Sequence, residues 1–372
     1  MALQQLHIQQ FRNISQANLD CAARWNLLVG ANGSGKTSVL EAIFVLSHGR
    51  SFRTSKIQKV VQHQAGELVV FSQISWGPQA IALGVKRQRS GDWQAKLNGE
   101  LVTRVADCAS VLPVQLLQPE SFRLFFGGPK ERRQFLDLGL FHVEPEFYVS
   151  WLQFNKVLKH RNALLKSRLA ARQEYVYWDQ QFVTYAIAVH AQRQRYLSLL
   201  QQQLQQLVQP IPWLAGLSLE LSSGWGHAEL NTTELAETLA ASFDSDLRFG
   251  YSQLGPHKAD LRLRVDGEYV DELLSRGQLK VLLFALKIAQ HNVIYFSGHK
   301  SPILLIDDLA SELDDQSKDL VFEFLNQIQS QVFITAIESS QVLPHVPDAA
   351  EVALFHVEHG LIKRTDKDGR RK

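Results

Sequence analysis

One stretch of the sequence limits the fold more than any other: residues 30–37 read Gly-Ala-Asn-Gly-Ser-Gly-Lys-Thr. The stretch fits the pattern G-x-x-x-x-G-K-[ST], follows the apolar run 25–29, and precedes a segment whose apolar residues recur at helical spacing. A glycine-rich turn between a strand and a helix presents backbone amides and the helix N-terminus to an anion, as P-loops do to nucleotide phosphates. The predicted nucleotide-binding residues are Gly30, Ala31, Asn32, Gly33, Ser34, Gly35, Lys36 and Thr37.

Four side chains are predicted to carry the chemistry of this site. Lys36 is expected to reach the outer phosphates of ATP and to act in catalysis, and Thr37 to give its hydroxyl to Mg²⁺. The aliphatic run 302–306, typical of a buried parallel strand, ends in Asp307 and Asp308. Because ligands bind at the carboxyl ends of such strands, we expect Asp307 to hold the metal and Asp308 to orient or deprotonate the attacking water.

The composition is that of a globular chain, with 45% hydrophobic and 20% charged residues among 372. This length predicts two or three domains, or one large α/β domain with an insertion. A formal net charge of +2 is too balanced to argue for a polyanionic partner, so any such site must come from local clusters. Two cysteines, no cationic and apolar leader, and no apolar run of membrane length predict a cytoplasmic protein without a membrane partner.

The periodicity of the chain changes twice. Up to about residue 117, short strand patterns and turns such as Asn98-Gly99 predict a small antiparallel sheet. Long helical stretches follow from about residue 132, and strand, helix and strand patterns return from Gly250 onward. The segment 274–278 reads Leu-Ser-Arg-Gly-Gln ahead of a helix that runs to about residue 291, with Ser275 available as its N-cap.

These motifs in combination resemble the RecF family of recombination-mediator ATPases, which is related to the heads of SMC proteins. The resemblance covers the whole chain. The segments that carry it are 11–13, 30–37, 128–133, 135–137, 255–261, 274–278 and 307–314.

The resemblance implies an α/β fold: an ABC-type P-loop ATPase head with an inserted, mainly helical second lobe. The head would comprise residues 1–130 and 248–372, and the inserted lobe residues 131–247. In such ATPases the 274–278 segment of one copy closes over the ATP of another. Ser275, Gly277 and Gln278, with the loop 311–314, would then complete the site of the second copy, so that ATP joins a homodimer.

The resemblance also implies a function in recombinational repair and replication-fork maintenance. An ATP-driven dimer would clamp duplex or gapped DNA, a slow, DNA-dependent hydrolysis of ATP would release it, and RecO and RecR would be the partners with which it helps load the RecA recombinase. Asp308 stands where related ATPases usually have Glu, and no switch histidine is evident in 335–338. The glutamine of the Q-loop is either Gln115 or Gln118.

Two basic segments are candidates for DNA binding. One is the cluster 50–59, with a cation at every third position, and the other is 155–172, which has six cations and no acid. Their cations are Arg50, Arg53, Lys56 and Lys59 in the first segment, and Lys156, Lys159, Arg161, Lys166, Arg168 and Arg172 in the second.

The sequence is also compared with the features of three other kinds of P-loop protein. A transporter-type ABC subunit is disfavoured because 238 residues separate Thr37 from Ser275, and a structural SMC-like head because this interval has no sustained heptads. A P-loop small-molecule kinase would need no 274–278 segment. The segment 356–360 contains two histidines but predicts a hairpin rather than a metal site.

Overall fold

The structure, a computed structural model, describes residues 1–168, 172–226, 232–298, 300–308 and 313–365. The chain folds into two compact units. The first consists of Met1–Ser121 with the described part of Lys280–Lys372, and the second of Phe122–Leu279. A discontinuous first unit with an inserted second one is the arrangement expected, although the observed insertion is longer than the expected 131–247.

The strands and helices are numbered in chain order. The strands are β1 (Ala2–Phe11), β2 (Ile14–Asp20), β3 (Trp25–Val29), β4 (Glu67–Trp76), β5 (Gln79–Gln88), β6 (Trp93–Leu97), β7 (Glu100–Val102), β8 (Val114–Leu117), β9 (Leu217–Ser222), β10 (Asp260–Val265), β11 (Glu268–Tyr269), β12 (Ile303–Ile306), β13 (Val332–Ala336), β14 (Val352–Glu358) and β15 (Leu361–Thr365). The helices are α1 (Lys36–His48), α2 (Val105–Val111), α3 (Arg123–Phe126), α4 (Pro129–Val143), α5 (Phe147–Ser167), α6 (Arg172–Val208), α7 (Thr232–Ala241), α8 (Phe243–Phe249), α9 (Val270–Leu273), α10 (Arg276–Gly298) and α11 (Asp315–Gln327).

Two six-stranded sheets form the first unit. One is antiparallel, with the order β2-β1-β4-β5-β6-β7, and its last hairpin turns at Asn98 and Gly99, both at positive φ, as the sequence predicts. The other has the order β15-β14-β3-β13-β12-β8, and its strands from β14 to β8 are parallel. Strands β3, β12 and β13 are buried at every residue, which explains the aliphatic sequence of β12 and the mostly apolar sequences of β3 and β13.

The parallel order places the predicted site at one edge of the sheet. The P-loop follows β3 and Asp307 follows β12, while β13 pairs with both strands and lies between them. Parallel strands end on the same side, so the loop and the carboxylate meet there. Helix α1 then leaves the P-loop and ends at Gly49, whose φ of 63° makes a left-handed cap.

The second unit is mainly helical. Helices α5 and α6 pack against each other, and α6 ends just before Pro210, as expected for a residue that cannot continue a helix. A three-stranded antiparallel sheet, β11-β10-β9, completes the unit. The predicted fold class, an α/β ATPase head with a mainly helical insertion, is confirmed. The insertion extends to residues 122–279 because β10 pairs with β9 and therefore stays with the inserted lobe.

Helix α10 is, by length and composition, apolar enough to cross a membrane. Of its most apolar 18-residue window, 72% is buried inside the protein. Burial of this kind is typical of a core helix.

Candidate nucleotide-binding site

The P-loop depends on glycine at two positions for different reasons. Gly30 has φ +152°, and a Cβ there would lie 2.2 Å from the carbonyl oxygen of Val357, so no side chain fits. Gly33 has φ +79° and nothing within 4 Å of the position of a Cβ. A left-handed glycine beside open space leaves its backbone accessible to an anion, which is what the motif predicts.

Contacts from distant parts of the chain hold this loop from behind. The carbonyl oxygen of Ser34 accepts hydrogen bonds from Asn13 Nδ2 at 2.9 Å and from the Gly360 amide at 2.8 Å. Asn13 Oδ1 also accepts from Ser38 Oγ at 3.2 Å. The hairpin 356–360 therefore supports the P-loop, and the described residues include no group of three or more His, Cys, Asp or Glu side chains that could hold a metal ion.

Lys36 lies against the loop it belongs to. Its side chain is buried, and Nζ donates to the carbonyl oxygens of Gly30 at 2.6 Å and Ala31 at 3.0 Å. Burial lowers the pKa of Lys36, and the nearby carboxylates of Asp308 and Asp307 oppose that shift. The cation thus lies where the loop and both predicted acids can act on one bound group.

Asp307 accepts two hydroxyl hydrogen bonds on a single oxygen. Thr37 Oγ1 lies 3.0 Å and Thr335 Oγ1 2.8 Å from Asp307 Oδ1, and the Asp308 amide donates to Thr335 Oγ1 at 2.9 Å. Burial raises the pKa of Asp307, while the two threonine hydrogen bonds lower it. The structure therefore brings Thr37 and Asp307 together as predicted, and adds Thr335, which the sequence did not single out.

These groups line a cleft of about 780 Å³ in the first unit. Gln118 lines the cleft, whereas Gln115 is buried and donates through Nε2 to Gln290 Oε1 at 3.1 Å. Of the two candidates for the Q-loop, only Gln118 faces the site. The other lining residues are Arg12, Asn13, Asn32, Gly33, Gly35, Lys36, Thr37, Ser38, Phe52, Arg53, Gln58, Lys59, Val61, His63, Arg89, Pro119, Glu120, Asp307, Asp308 and Thr335.

An ion pair with a buried carboxylate contributes one of its members, Arg12, to the lining of this cleft. Glu41 is fully buried in α1, and its carboxylate accepts from Arg12 at 2.6 and 2.9 Å. Arg12 also donates to the carbonyl oxygen of Lys59 at 2.5 Å. Arg12, Arg53 and Lys59 all line the cleft, so part of the basic 50–59 segment belongs to the nucleotide site.

The segment 274–278 starts α10 in the predicted manner. Ser275 Oγ accepts from the Gln278 amide at 3.3 Å, and Gln278 Oε1 accepts from the Ser275 amide at 2.9 Å. This reciprocal capping box confirms Ser275 as the N-cap. Ser275 is exposed, and Gly277 and Gln278 are half-buried.

The predicted loop 311–314 is only partly described, since Ser311 and Glu312 lie outside the described residues. Asp314 Oδ1 accepts from the Ser317 amide at 2.8 Å and so caps α11. This hydrogen bond lowers the pKa of the Asp314 carboxyl. The Asp314 side chain therefore stabilises the start of that helix as its N-cap.

Two of the segments that carry the family resemblance meet within the second unit. Arg132, from the first, pairs with Asp260 of the second through Nε at 2.7 Å and Nη2 at 3.0 Å. Arg193 joins segment 135–137 to segment 255–261, donating to Asp137 at 2.8 Å and to the carbonyl oxygen of Pro256 at 2.7 Å. These blocks hold the second unit together.

The prediction that Arg161 contacts DNA is wrong. Arg161 is fully buried, and its guanidinium donates to Asp179 Oδ1, Asp246 Oδ2 and Ser252 Oγ, each at 2.7 Å. A cation neutralised inside the protein cannot reach a phosphate. The exposed cations of the segment are Lys156, Lys159, Lys166 and Arg168, and the side chain of Arg172 lies outside the described residues.

The chain is similar to known proteins over almost its whole length. A family model described as the RecF/RecN/SMC N terminal domain matches residues 2–363. The chain is 42% identical over 363 residues to the DNA replication and repair protein RecF of Pseudoalteromonas translucida, covering 97% of this chain and 99% of that protein. It is 41% identical over 370 residues to that of Shewanella halifaxensis, covering 100% of both.

Solved structures show the same likeness. A structure of the recombination mediator protein RecF-ATP in the RecFOR pathway has a TM-score of 0.86 at 25% identity, covering 98% of this chain and 97% of that one. An SMC head bound to the C-winged helix domain of ScpA has a TM-score of 0.58 at 16% identity, covering 98% of each. The second likeness concerns the fold alone.

Proposed function

Because this chain belongs to the RecF family, we propose that it is an ATP-gated DNA-binding protein of replication and recombinational repair in the cytoplasm. ATP joins two copies into a dimer that holds duplex or gapped DNA, and slow hydrolysis releases the DNA. RecO and RecR are the proposed partners in loading RecA. The observation that carries this proposal is the cleft in which the P-loop, Lys36 and Asp307 converge.

The donor set of the cleft fits Mg²⁺ with a nucleotide. Thr37 Oγ1 and Asp307 Oδ1 are hard oxygen donors 3.0 Å apart, the type that Mg²⁺ prefers. When bound there, Mg²⁺ supplies positive charge to the phosphate oxygens. The backbone of 30–35 and the Lys36 ammonium bind the phosphates themselves, and Arg12 and Arg53, which share the buried Glu41 carboxylate, line the same cleft.

Asp308 is proposed to hold or deprotonate the attacking water. It lines the cleft beside Lys36, and its φ of 57° places it in the left-handed region, uncommon for a residue other than glycine. A hydrogen bond from the Asp308 amide to Thr335 Oγ1 holds this backbone in place. The side chain is one methylene shorter than the usual Glu, which favours slow turnover and a switch-like ATPase.

The 274–278 segment is the proposed contact with the nucleotide of a second copy. Ser275 is exposed at a capped helix start, and a helix N-terminus with a hydroxyl and a glycine amide suits a phosphate. Each copy would then contribute a P-loop to one site and a helix start to the other. ATP is thereby a ligand of both copies.

The direct test is sedimentation of the full chain with and without ATP and duplex DNA, using wild type and Ser275→Arg. The substitution adds bulk where the second nucleotide must fit, so the variant should bind ATP as a monomer but not dimerise. Thr233→Arg, exposed in the first turn of α7, is the matched control and should dimerise normally. An ATP-dependent dimer of Ser275→Arg would contradict the proposed role of this segment.

The two acids of the cleft can be separated in the same assay. Asp307→Asn should weaken the Mg²⁺ dependence of ATP binding, whereas Asp308→Asn should keep ATP bound and trap the dimer. A neutral Asn at 308 keeps the size of the side chain but removes the base. If Asp308→Asn dimers dissociate in ATP as fast as wild type, Asp308 does not limit hydrolysis.

The proposed DNA contacts are exposed cations, so affinity should depend steeply on salt. With about five phosphates contacted, log affinity should fall against log salt with a slope of about −4.5. Neutralising Lys156 and Lys159 should reduce this slope if the α5 cations take part. Equal affinity for duplex in ATP and in ADP would contradict nucleotide gating.

A further inference from the structure

Two large aromatic side chains stand exposed on either side of a sharp turn at the end of α8. Phe249 is 49% and Tyr251 42% exposed, and their ring centroids lie 6.1 Å apart. Gly250 between them has φ 75° and forms a left-handed cap on the helix. The left-handed turn at Gly250 therefore separates two exposed rings that lie close together.

Cations flank both rings. The Arg248 guanidinium carbon lies 5.0 Å from the Phe249 ring centroid, and Lys258 Nζ lies 5.2 Å from that of Tyr251. Both cations are exposed. One face of each ring is therefore covered by a cation at the distance of cation–π contact, and each ring remains about half exposed for a base to stack on.

Two further cations from the end of α5 join the same surface. Arg168 donates to the carbonyl oxygen of Arg248 at 3.1 Å, and the Lys166 Cα lies 3.7 Å from the position of a Cβ on Gly250. Among the residues that the structure describes, no salt bridge includes any of these four cations. We call this surface the basic-aromatic patch; it comprises Lys166, Arg168, Arg248, Phe249, Tyr251 and Lys258.

An ion pair and hydrogen bonds connect the turn that carries the patch to α5. Buried Arg161 pairs with Asp246 at 2.7 Å, and the carbonyl oxygen of Asp246 accepts from the Gly250 amide at 2.8 Å. On the other side of Tyr251, the Ser252 amide donates to Asn162 Oδ1 at 2.8 Å. Both ends of the turn are therefore tied to α5, so the rings are positioned before any ligand arrives.

We propose that the basic-aromatic patch is a site for single-stranded nucleic acid, in which Phe249 and Tyr251 stack on bases while the four cations bind the adjacent phosphates. Exposed rings among cations suit a strand whose bases are free to stack, because in a duplex the base faces are already covered. An acidic protein segment would use the cations but leave the rings without a partner. The inference rests on the proposed binding of gapped DNA, and what it adds is the assignment of these six residues to the single-stranded part of the gap.

The test uses the full chain without nucleotide, and measures anisotropy of a labelled oligothymidylate of about 12 nucleotides. Phe249→Ala and Tyr251→Ala should each weaken binding roughly tenfold, and Tyr251→Phe should retain it, because stacking needs a ring but not its hydroxyl. Phe296→Ala is the control, since Phe296 is 62% exposed but belongs to the first unit. Thermal unfolding checks that each variant is folded.

Two competitors decide between ligand classes. An abasic strand of the same length offers phosphates without bases, and polyglutamate offers carboxylates. Tight binding of oligothymidylate with about tenfold weaker binding of the abasic strand supports the site. Equal binding of both strands, equal binding by the alanine variants, or displacement by polyglutamate as effective as by oligothymidylate overturns it.

The same preparations separate this inference from the proposed function. ATP-dependent duplex binding without any binding of oligothymidylate overturns the single-strand site and leaves the clamp standing. If the wild-type protein binds oligothymidylate but does not bind duplex in ATP, the clamp is overturned and the single-strand site stands. Alanine variants that lose oligothymidylate but still dimerise in ATP support both.

Discussion

Buried charges occur in both units of the molecule, but Lys36 of the first unit lies at a cleft, whereas Arg161 of the second unit is paired inside the fold. Lys36 is buried and lines the nucleotide cleft. Arg161 and Asp246, each with no exposed side-chain surface, are enclosed within the second unit. The same kind of group therefore serves a ligand in one unit and the fold in the other.

The difference lies in which group neutralises each charge. Lys36 donates to backbone carbonyls, and a phosphate is a stronger partner for an ammonium than a neutral carbonyl oxygen. Arg161 already has two carboxylates and a hydroxyl, so a ligand has nothing to add. Breaking a matched buried pair leaves an uncompensated charge, whereas removing a charge that awaits a ligand does not.

The largest effect is expected in the second unit. Arg161→Met should lower the free energy of unfolding by about 3–5 kcal/mol, because Asp246 is left buried without its cation. Urea unfolding measures this. Lys159→Met, exposed on the same helix, is the control and should change the free energy by less than about 0.5 kcal/mol. Similar stability of the two variants would remove the distinction between the units.

The next effect is expected on ligand binding. Lys36→Ala should lower ATP affinity about 100-fold, since a charged contact with the outer phosphates is lost. Its free energy of unfolding should not fall, because Asp307 near this ammonium is also held by hydrogen bonds from Thr37 and Thr335. Calorimetric titration with ATP measures the affinity, and Lys96→Ala, exposed on β6, is the control. Unchanged ATP affinity in folded Lys36→Ala would contradict the assignment of the cleft.

A smaller effect is expected at the threonine between the two acids. Thr335→Val should slow ATP turnover by roughly tenfold, because it removes a hydroxyl that donates to Asp307 and accepts from the Asp308 amide. Thr335→Ser keeps both bonds and should turn over at close to the wild-type rate. Equal turnover in all three proteins would show that Thr335 does not position these acids.

The smallest effect is a pH dependence of the second unit. Burial lowers the pKa of His257 to about 4, with Lys258 and Arg133 acting in the same direction and Asp246 against it. The unfolded chain takes up a proton near the ordinary pKa of about 6.5 and the folded chain only near 4, so stability is complete above that range and falls as the pH drops.

Between pH 6.5 and 5.5 this contribution should fall by about 1 kcal/mol. His257→Gln, whose amide can still donate to the carbonyl oxygen of Ser252, should flatten the dependence. Urea unfolding at the two pH values measures it. Burial also lowers the pKa of His291 in the first unit, to about 3, and the pKa of His190 in the second, so a residual slope in the variant is assigned to these two groups.

Local sequence determined the parts of this protein that neighbouring residues can build. The P-loop, its strand and helix, the aliphatic strand that ends in Asp307, and the capping box at Ser275 each follow from a few consecutive residues. Glycine conformation, capping and burial periodicity act over one turn or one strand, so these elements could be predicted.

Only the tertiary structure decided the partners that lie far apart in sequence. It separates Gln118 in the cleft from buried Gln115, adds Thr335 to the acids, and encloses Arg161 among carboxylates contributed by other helices. Asn13 and Gly360, 347 residues apart, meet on the carbonyl oxygen of Ser34. A cation in a sequence looks the same whether it faces solvent or an acid, because only the packing of distant elements decides which groups become its neighbours.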